Sequence, residues 1–262
     1  MNREQRRTDA PVAHSPRVWD YWLGGKDNYA VDRQVGDLLR ATYPPVVDLV
    51  RSSRRFLARA LQHLAGEVGL RQFVDVGPGL PTVDNTHEVV QRVAPGARVV
   101  YADNDPVVLA HARVLLQGEG TSYVEADLRD PAGLLDAAAR DLDLDRPVGL
   151  VLTNVLGHLP DLAEARRSVR DLVAAVAPGS HLVVADGRTD GGGPFDAAVS
   201  MWNQAGSQPY VLRTTEQITC FLDGLELLEP GVVQSSLWRP DGPPGRLVEH
   251  VGAVGRKPSA SA

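Results

Sequence analysis

The residues best suited to chemistry lie in three short stretches, each at the end of an apolar run. In Phe73-Val-Asp-Val-Gly-Pro-Gly-Leu-Pro-Thr82, Gly77 and Gly79 allow a tight turn and a close approach of backbone to ligand. Asp75, two residues earlier, can accept from a cationic amine or cap local backbone. A dinucleotide-binding turn would need a third glycine where this chain has Thr82. It would also need N–H donors for a pyrophosphate, and Pro78 and Pro81 remove two. The loop suits a ligand without phosphates. Asp103 ends the second run, where an acidic residue can take both hydroxyls of a ribose, whereas Asp105 reads as a helix N-cap. Asp127, after the third run, can accept from an adenine amino group or serve as an ordinary loop aspartate.

These residues meet only if the chain lays its apolar runs side by side. Phe73–Val76, Arg98–Ala102, Ser122–Val124, Val148–Leu152 and His181–Ala185 read as strands. Between them, Pro81–Ala94, a segment starting at Asp105-Pro106, 131–140 and 161–177 read as helices, the last ended by Gly179. Five such alternations predict a parallel, doubly wound α/β sheet with right-handed connections. Gly187–Pro194 reads as a loop, and 195–205 and 214–223 as helices. Leu225–Leu237 and Leu247–Val254 read as late strands, joined by the turn-rich Arg239–Gly245 and therefore antiparallel. Residues 16–65 read as helical. Val46, Val47, Leu49, Val50, Phe56, Leu57, Ala60, Leu61 and Leu64 recur at helix spacing after Pro44-Pro45. Asp75, Gly77, Gly79, Asp103 and Asp127 then share the carboxyl edge of the sheet, where open α/β sheets bind ligands. The inferred ligand has an amine, a ribose and an adenine but no phosphate, and S-adenosylmethionine fits.

Composition narrows the class. At 262 residues and 43% hydrophobic content, a sizeable core can form. No run approaches the ~18 apolar residues of a membrane span. Arg3, Arg6 and Arg7 precede no apolar segment of the export type. A soluble cytoplasmic protein is expected. Cys220 is the sole cysteine, which rules out an internal disulfide and a multi-cysteine metal site, and it reads as buried and inert. No metal is expected. Residues 1–59 carry a net charge of +4 and the rest −10, within an overall −6. The acidic body argues against nucleic acid as partner, and the basic excess reads as a solvated helical face. The expected organisation is a flexible start at 1–15, a helical cap at 16–65, a ligand-binding core at 66–257 and a flexible tail at 258–262.

Phe73–Thr82, Tyr101-Ala-Asp-Asn-Asp-Pro106 and Glu125-Ala-Asp127 resemble the first three motifs of class I S-adenosylmethionine-dependent methyltransferases. Arg17-Val-Trp-Asp-Tyr-Trp-Leu-Gly-Gly-Lys-Asp-Asn-Tyr29 is similar to the N-terminal signature of an actinobacterial methyltransferase family first catalogued as a domain of unknown function. Leu80–His87, Leu225–Val233 and Trp238-Arg-Pro240 are similar to it too, so the resemblance covers 16–257. It implies a Rossmann-like seven-strand fold with the N-terminal helices as a lid, and S-adenosylmethionine as cofactor with S-adenosylhomocysteine as product.

Carried onto this chain, the resemblance places the methionine end of the cofactor near Asp75, Gly77 and Gly79, with Pro78 and Thr82 of the same loop in the cofactor set. It places Asp103 and Asn104 at the ribose, Asp127 and Leu128 at the adenine, and Thr153 or Asn154 near the sulfonium. His158 matches a Leu-x-His-Leu-like run after the fourth strand, as a general base or as a structural histidine of the loop. Gly157, where related sequences often carry a bulkier residue, is expected to widen the pocket.

Two groups are candidates for the lid and substrate wall. Trp19, Tyr21, Trp22 and Tyr29 crowd into eleven residues of a chain with 14 aromatics, together with Lys26, one of two lysines. They could exclude water and contact substrate, with Lys26 reaching an acceptor carbonyl or the cofactor carboxylate, or simply dock the helices. Met201 and Trp202, with Phe195 and Tyr210, form the second group, as substrate wall or as packing on the sheet. The expected function is methyl transfer to an O, N or C atom of a small organic molecule, as in secondary metabolism. A non-catalytic S-adenosylmethionine-binding regulator and a nicotinamide-dependent oxidoreductase are the alternatives.

Overall fold

Three helices open the computed structural model, which describes residues 12–82, 84–115 and 118–259. They are α1 (Ser15–Leu23), α2 (Ala30–Thr42) and α3 (Val46–Gln62), the last continued by a π-type turn at His63–Glu67. Then β1 (Gln72–Val76), α4 (Thr86–Val93), β2 (Arg98–Asp103), α5 (Pro106–Leu115), β3 (Thr121–Glu125), α6 (Pro131–Ala138), β4 (Gly149–Thr153), α7 (Leu162–Ala175) and β5 (His181–Gly187) alternate. Side-chain caps fix the helix starts: Asp105 accepts from Val107 N–H at 2.8 Å, Asp130 from Gly133 at 3.1 Å and Asp161 from Glu164 at 2.8 Å. The expected start of α4 at Pro81 is corrected to Thr86. Asn85 and Glu88 form a reciprocal capping box there, and the stretch before it stays in the ligand-facing loop.

The strands order as β3-β2-β1-β4-β5, all parallel, so the order reverses beside β1. Ligands of such sheets bind at that switch point. After α8 (Pro194–Ala205) and α9 (Thr215–Thr219), β8 (His250–Arg256) adds antiparallel to β5. The expected strand over 225–237 is two short pieces, β6 (Glu226–Leu227) and β7 (Val233–Gln234), both antiparallel to β8. Pro230 offers no N–H and Gly231 takes a left-handed φ of 82°, so the ladder breaks between them. Among the described residues eight strands thus fill seven positions.

Both faces are covered. Leu134, Leu135, Val169 and Leu172 of α6 and α7 pack on Val74, Leu150 and Leu182. Phe56, Leu61 and Val89 of α3 and α4 pack with Trp238 on Phe73, Val99 and Val183. A third cluster joins Val18, Leu39, Val46 and Val50 to Phe195, Ala198 and Trp202, so the N-terminal helices lean on α8 and close over the carboxyl edge.

Residues 1–11 and 260–262 of the expected flexible ends lie outside the described residues. The boundary at residue 15 is corrected, because the chain is anchored two residues earlier. Ala13 is fully buried and bridges to Gly206, and the His14 ring meets Asp105 at 2.5 Å. Lys257, just before the tail, donates to the carbonyls of Val173, Ala174 and Val176 at the end of α7. Among the described residues no helix is long and apolar enough to cross a membrane.

Candidate active site

The carboxyl ends of β1, β2 and β4 and the inner face of α1 enclose a cavity of about 340 Å³. Gly77, Pro78, Gly79, Thr82, Asp103, Asn104, Asp127, Leu128, Thr153 and Asn154 all line it, so the topology brings together every expected cofactor residue except Asp75. Gly77 and Gly79 take φ of 67° and 71°, which turns the loop back over the strand.

Asp75 lies behind that loop, buried, and accepts from Thr86 Oγ1 at 2.6 Å. Burial pushes its carboxyl up to about 6, although the Thr86 bond and the Arg54 charge oppose the shift. It braces the first turn of α4 and does not reach the main cavity. Asp103 lines the cavity and accepts from Asp105 N–H at 2.8 Å. Burial pushes it up to about 6 as well, so a ligand offering hydroxyl donors favours its ionised form. Asp127 is held by Asn104 Nδ2 at 2.9 Å and Arg129 N–H at 2.8 Å.

Asn154 follows β4 in a left-handed conformation, φ 58°, and its amide is oriented from both sides. It donates to Ser53 Oγ at 2.8 Å and accepts from His250 Nε2 at 2.9 Å. Burial pushes His250 down to about 3, so the ring is neutral and donates through Nε2.

His158 closes a short 3₁₀ turn, Leu156–His158, and lines the cavity. Its Nδ1 donates to the Pro209 carbonyl at 2.9 Å. A carbonyl can only accept, so the proton sits on Nδ1 and Nε2 carries a lone pair. Burial keeps the ring pKa below its usual value, with the Pro209 bond pulling the other way. The expectation for Gly157 is corrected. A Cβ there would lie 2.4 Å from the Tyr210 ring, so this glycine admits Tyr210 rather than widening the pocket. Tyr210 stands edge-on to His158 at 5.1 Å and donates its hydroxyl to Asp186. Burial pushes Asp186 up to about 7 against the charge of Arg213.

The signature segment folds around Asp20. The buried Asp20 carboxylate accepts from Asp27 N–H at 2.9 Å and Asn28 Nδ2 at 2.8 Å. A Cβ on Gly25 would fall 1.8 Å from the same carboxylate. A second anchor is the Arg17–Asp32 pair at 2.7 Å, with Asp32 fully buried and also accepting from the N–H groups of His14 and Tyr29.

Of the expected lid residues, Trp19 lines the main cavity. Trp19, Trp22 and Trp202 line a second cavity of about 80 Å³. Tyr21, Lys26, Tyr29 and Met201 line neither cavity, a correction with a geometric cause. Residues 19 and 22 share a helical face, whereas 21 points some 200° away from 19. Tyr21 accordingly donates to Asp37, Tyr29 is 48% exposed under the Arg17 guanidinium, and Lys26 is exposed on the turn. Met201 turns to α2 and takes a hydrogen bond from Thr42.

Sequence reasoning missed Arg54. From α3 it reaches the cavity and donates to Thr82 Oγ1 at 2.8 Å. The available signal was its place at helical spacing between Val50 and Leu57, a cation on an otherwise apolar stripe. Asp20, Ser53 and Ser15 were also missed as lining residues. Among the described residues no group of three or more His, Cys, Asp or Glu could hold a metal ion.

A family described as S-adenosyl methyltransferase matches residues 1–258. A Thermobifida fusca YX protein described as a candidate methyltransferase is similar at 37% identity and TM-score 0.91, over 97% of this chain and 98% of that one. A DUF574 family protein from Streptomyces avermitilis is similar at 40% identity and TM-score 0.90, over 96% of this chain and all of that one (100%). The N-methyltransferase NodS of Bradyrhizobium japonicum, solved with S-adenosyl-L-homocysteine, shares the fold at 18% identity and TM-score 0.51, over 77% and 86%. No curated protein matches.

Proposed function

We propose, because the chain belongs to the S-adenosyl methyltransferase family, that it methylates a small organic molecule rather than a nucleic acid or a membrane component. The family decides among the three readings of the sequence in favour of an S-adenosylmethionine-dependent methyltransferase. The observation that carries the acceptor class is the junction of the two cavities. They share Ser15, Trp19, Asn154 and His158, and the second is small and walled by side chains. A nucleic acid would also meet the acidic body of the chain, net −10 beyond residue 59.

The cavity residues fit the cofactor. Asp103 would take the ribose hydroxyls, Asp127 and Leu128 the adenine edge, and Arg54 the methionine carboxylate beside the glycine loop. The loop prolines withhold the donors a pyrophosphate would need, and no phosphate has to be held. When bound, S-adenosylmethionine supplies the methyl group on its sulfonium. Trp19 roofs the junction and excludes water, Asn154 is locked beneath it, and His158 Nε2 can take a proton from the acceptor.

Incubating the protein and methyl-labelled S-adenosylmethionine with a fractionated cell extract tests the acceptor class. The label is expected in low-mass products; label confined to protein or nucleic acid overturns the proposal. A second expectation concerns pH. Asp103 binds hydroxyl donors as a carboxylate and titrates near 6, so affinity for S-adenosylhomocysteine should be flat above pH 7. Below pH 6 it should fall by up to about tenfold per unit, one proton being taken up per carboxylate. Calorimetry across that range, with Asp103→Asn as the non-titrating reference, checks it; an equal slope in both proteins contradicts the assignment.

A further inference from the structure

Resting on that methyltransferase reading, we propose that the acceptor is an uncharged, single-ring phenol. It binds in the second cavity with its hydroxyl toward His158. The first observation is the character of the walls. Trp19, Trp22, Phe195, Trp202 and Tyr210 supply flat aromatic surface, and Leu39 and Val50 fill between them. Aromatic walls favour a planar apolar ring, and a volume of about 80 Å³ suits one ring rather than a fused system.

The second observation is charge. Among the described residues no Asp, Glu, Lys or Arg lines this cavity. Asp186, a buried carboxylate behind Tyr210, is sealed off by the Tyr210 hydroxyl and Gly187 N–H. Arg213 is turned to the carbonyls of Leu156 and Leu159. A carboxylate anywhere but at the junction, where the cofactor's sulfonium would face it, is therefore buried without a cation, which is costly. An ammonium would be buried without an anion and beside the cofactor's sulfonium, a like charge in a low-dielectric site.

The third observation is where hydrogen-bonding capacity is left over. Both ends of the Asn154 amide are engaged. The indole N–H groups of Trp22 and Trp202 donate to Gly36 and Gln208 carbonyls. Among the described residues this leaves His158 Nε2, the Ser15 hydroxyl and the Trp19 indole N–H as side-chain polar atoms of the wall open to a ligand. All three lie at the junction with the cofactor cavity. A ring with one hydroxyl at that end satisfies them and leaves apolar surface for the rest. A neutral imidazole takes the proton of a phenol more readily than that of an aliphatic alcohol, a far weaker acid. In the transfer the phenolic oxygen forms the new bond to the methyl carbon while the methyl–sulfur bond breaks. Its electron pair stays on sulfur, and the phenolic proton passes to His158 Nε2. The products are an aryl methyl ether and S-adenosylhomocysteine.

Calorimetry on the protein saturated with S-adenosylhomocysteine tests this with three probes of one size: para-ethylphenol, benzoate and phenethylamine. The phenol is expected to bind at least about tenfold tighter than either ion, given the cost of burying an unpaired charge. In Val199→Trp, which adds bulk to the wall of the second cavity alone, phenol affinity should drop by about tenfold or more through overpacking. Affinity for S-adenosylhomocysteine should be kept. Phenol binding that is absent, no tighter than that of either ion, or unchanged in Val199→Trp overturns the proposal and leaves the methyltransferase reading standing. A protein that binds no S-adenosylhomocysteine overturns that reading itself. The probe comparison uses the unaltered protein and stands even where the variant fails to fold.

Discussion

Replacing His158 with asparagine should lower methyl transfer by ~10²–10⁴-fold, the usual contribution of a positioned base, and leave affinity for S-adenosylhomocysteine close to that of the unaltered protein. Asparagine can still donate to the Pro209 carbonyl that now accepts from Nδ1, so the turn keeps its shape while the Nε2 lone pair is lost. The pH profile gives a second check. The base must be unprotonated to act, and burial holds the His158 pKa below its usual 6.5. Turnover should therefore be flat above neutrality and fall on the acid side, below pH 6.5. Steady-state rates across pH settle it. A loss of less than about tenfold would make His158 a positioning residue of the turn rather than the proton acceptor.

The second large effect is expected at the cap. Asp32→Ala should cost about 3–5 kcal/mol, because it strands a buried guanidinium. Arg17 is 3% exposed, and the His14 and Tyr29 N–H groups lose the same acceptor. Since α1 roofs the cofactor cavity through Trp19 and Asp20, affinity for S-adenosylhomocysteine should fall with it. The double variant Arg17→Met/Asp32→Leu should recover part of the stability, by removing the stranded guanidinium, but not the share lost by the His14 and Tyr29 N–H groups. Chemical denaturation of the three proteins measures this. A loss under about 1 kcal/mol, typical of an exposed pair, would show that the cap is not anchored there.

The centre of the sheet was legible because each central strand is a short apolar run between helix-capping residues such as Asp105, Asp130 and Asp161, a local pattern. The cofactor cavity followed from it, since a parallel sheet puts Asp103, Asp127 and Asn154 on one edge whatever the loops do. Less was legible wherever packing between distant segments decides. Arg54 sits in a helix whose periodicity marks it as core, and only the fold brings it to Thr82. The second cavity takes its walls from α1, α2, α3, α8 and the segment around Tyr210, which no local pattern joins. The aromatic cluster at 19–29 looked like one unit in the sequence, but the 3.6-residue period of α1 turns Tyr21 away from Trp19 and Trp22, and Tyr29 lies beyond that helix. The tryptophans face inward, and the tyrosines lie outside the cavities. What the Gly-Gly-Lys-Asp-Asn segment does became clear only from Asp20, the carboxylate it wraps.

The account stands most directly on the cofactor site at the end of β2. Titration calorimetry of S-adenosylhomocysteine into the unaltered protein and into Asp103→Ala tests it. Two charge-assisted hydrogen bonds from a ribose should be lost in the variant, so one-site binding is predicted for the first and binding about 100-fold weaker for the second. No binding by the unaltered protein, or equal affinity in both, would contradict it.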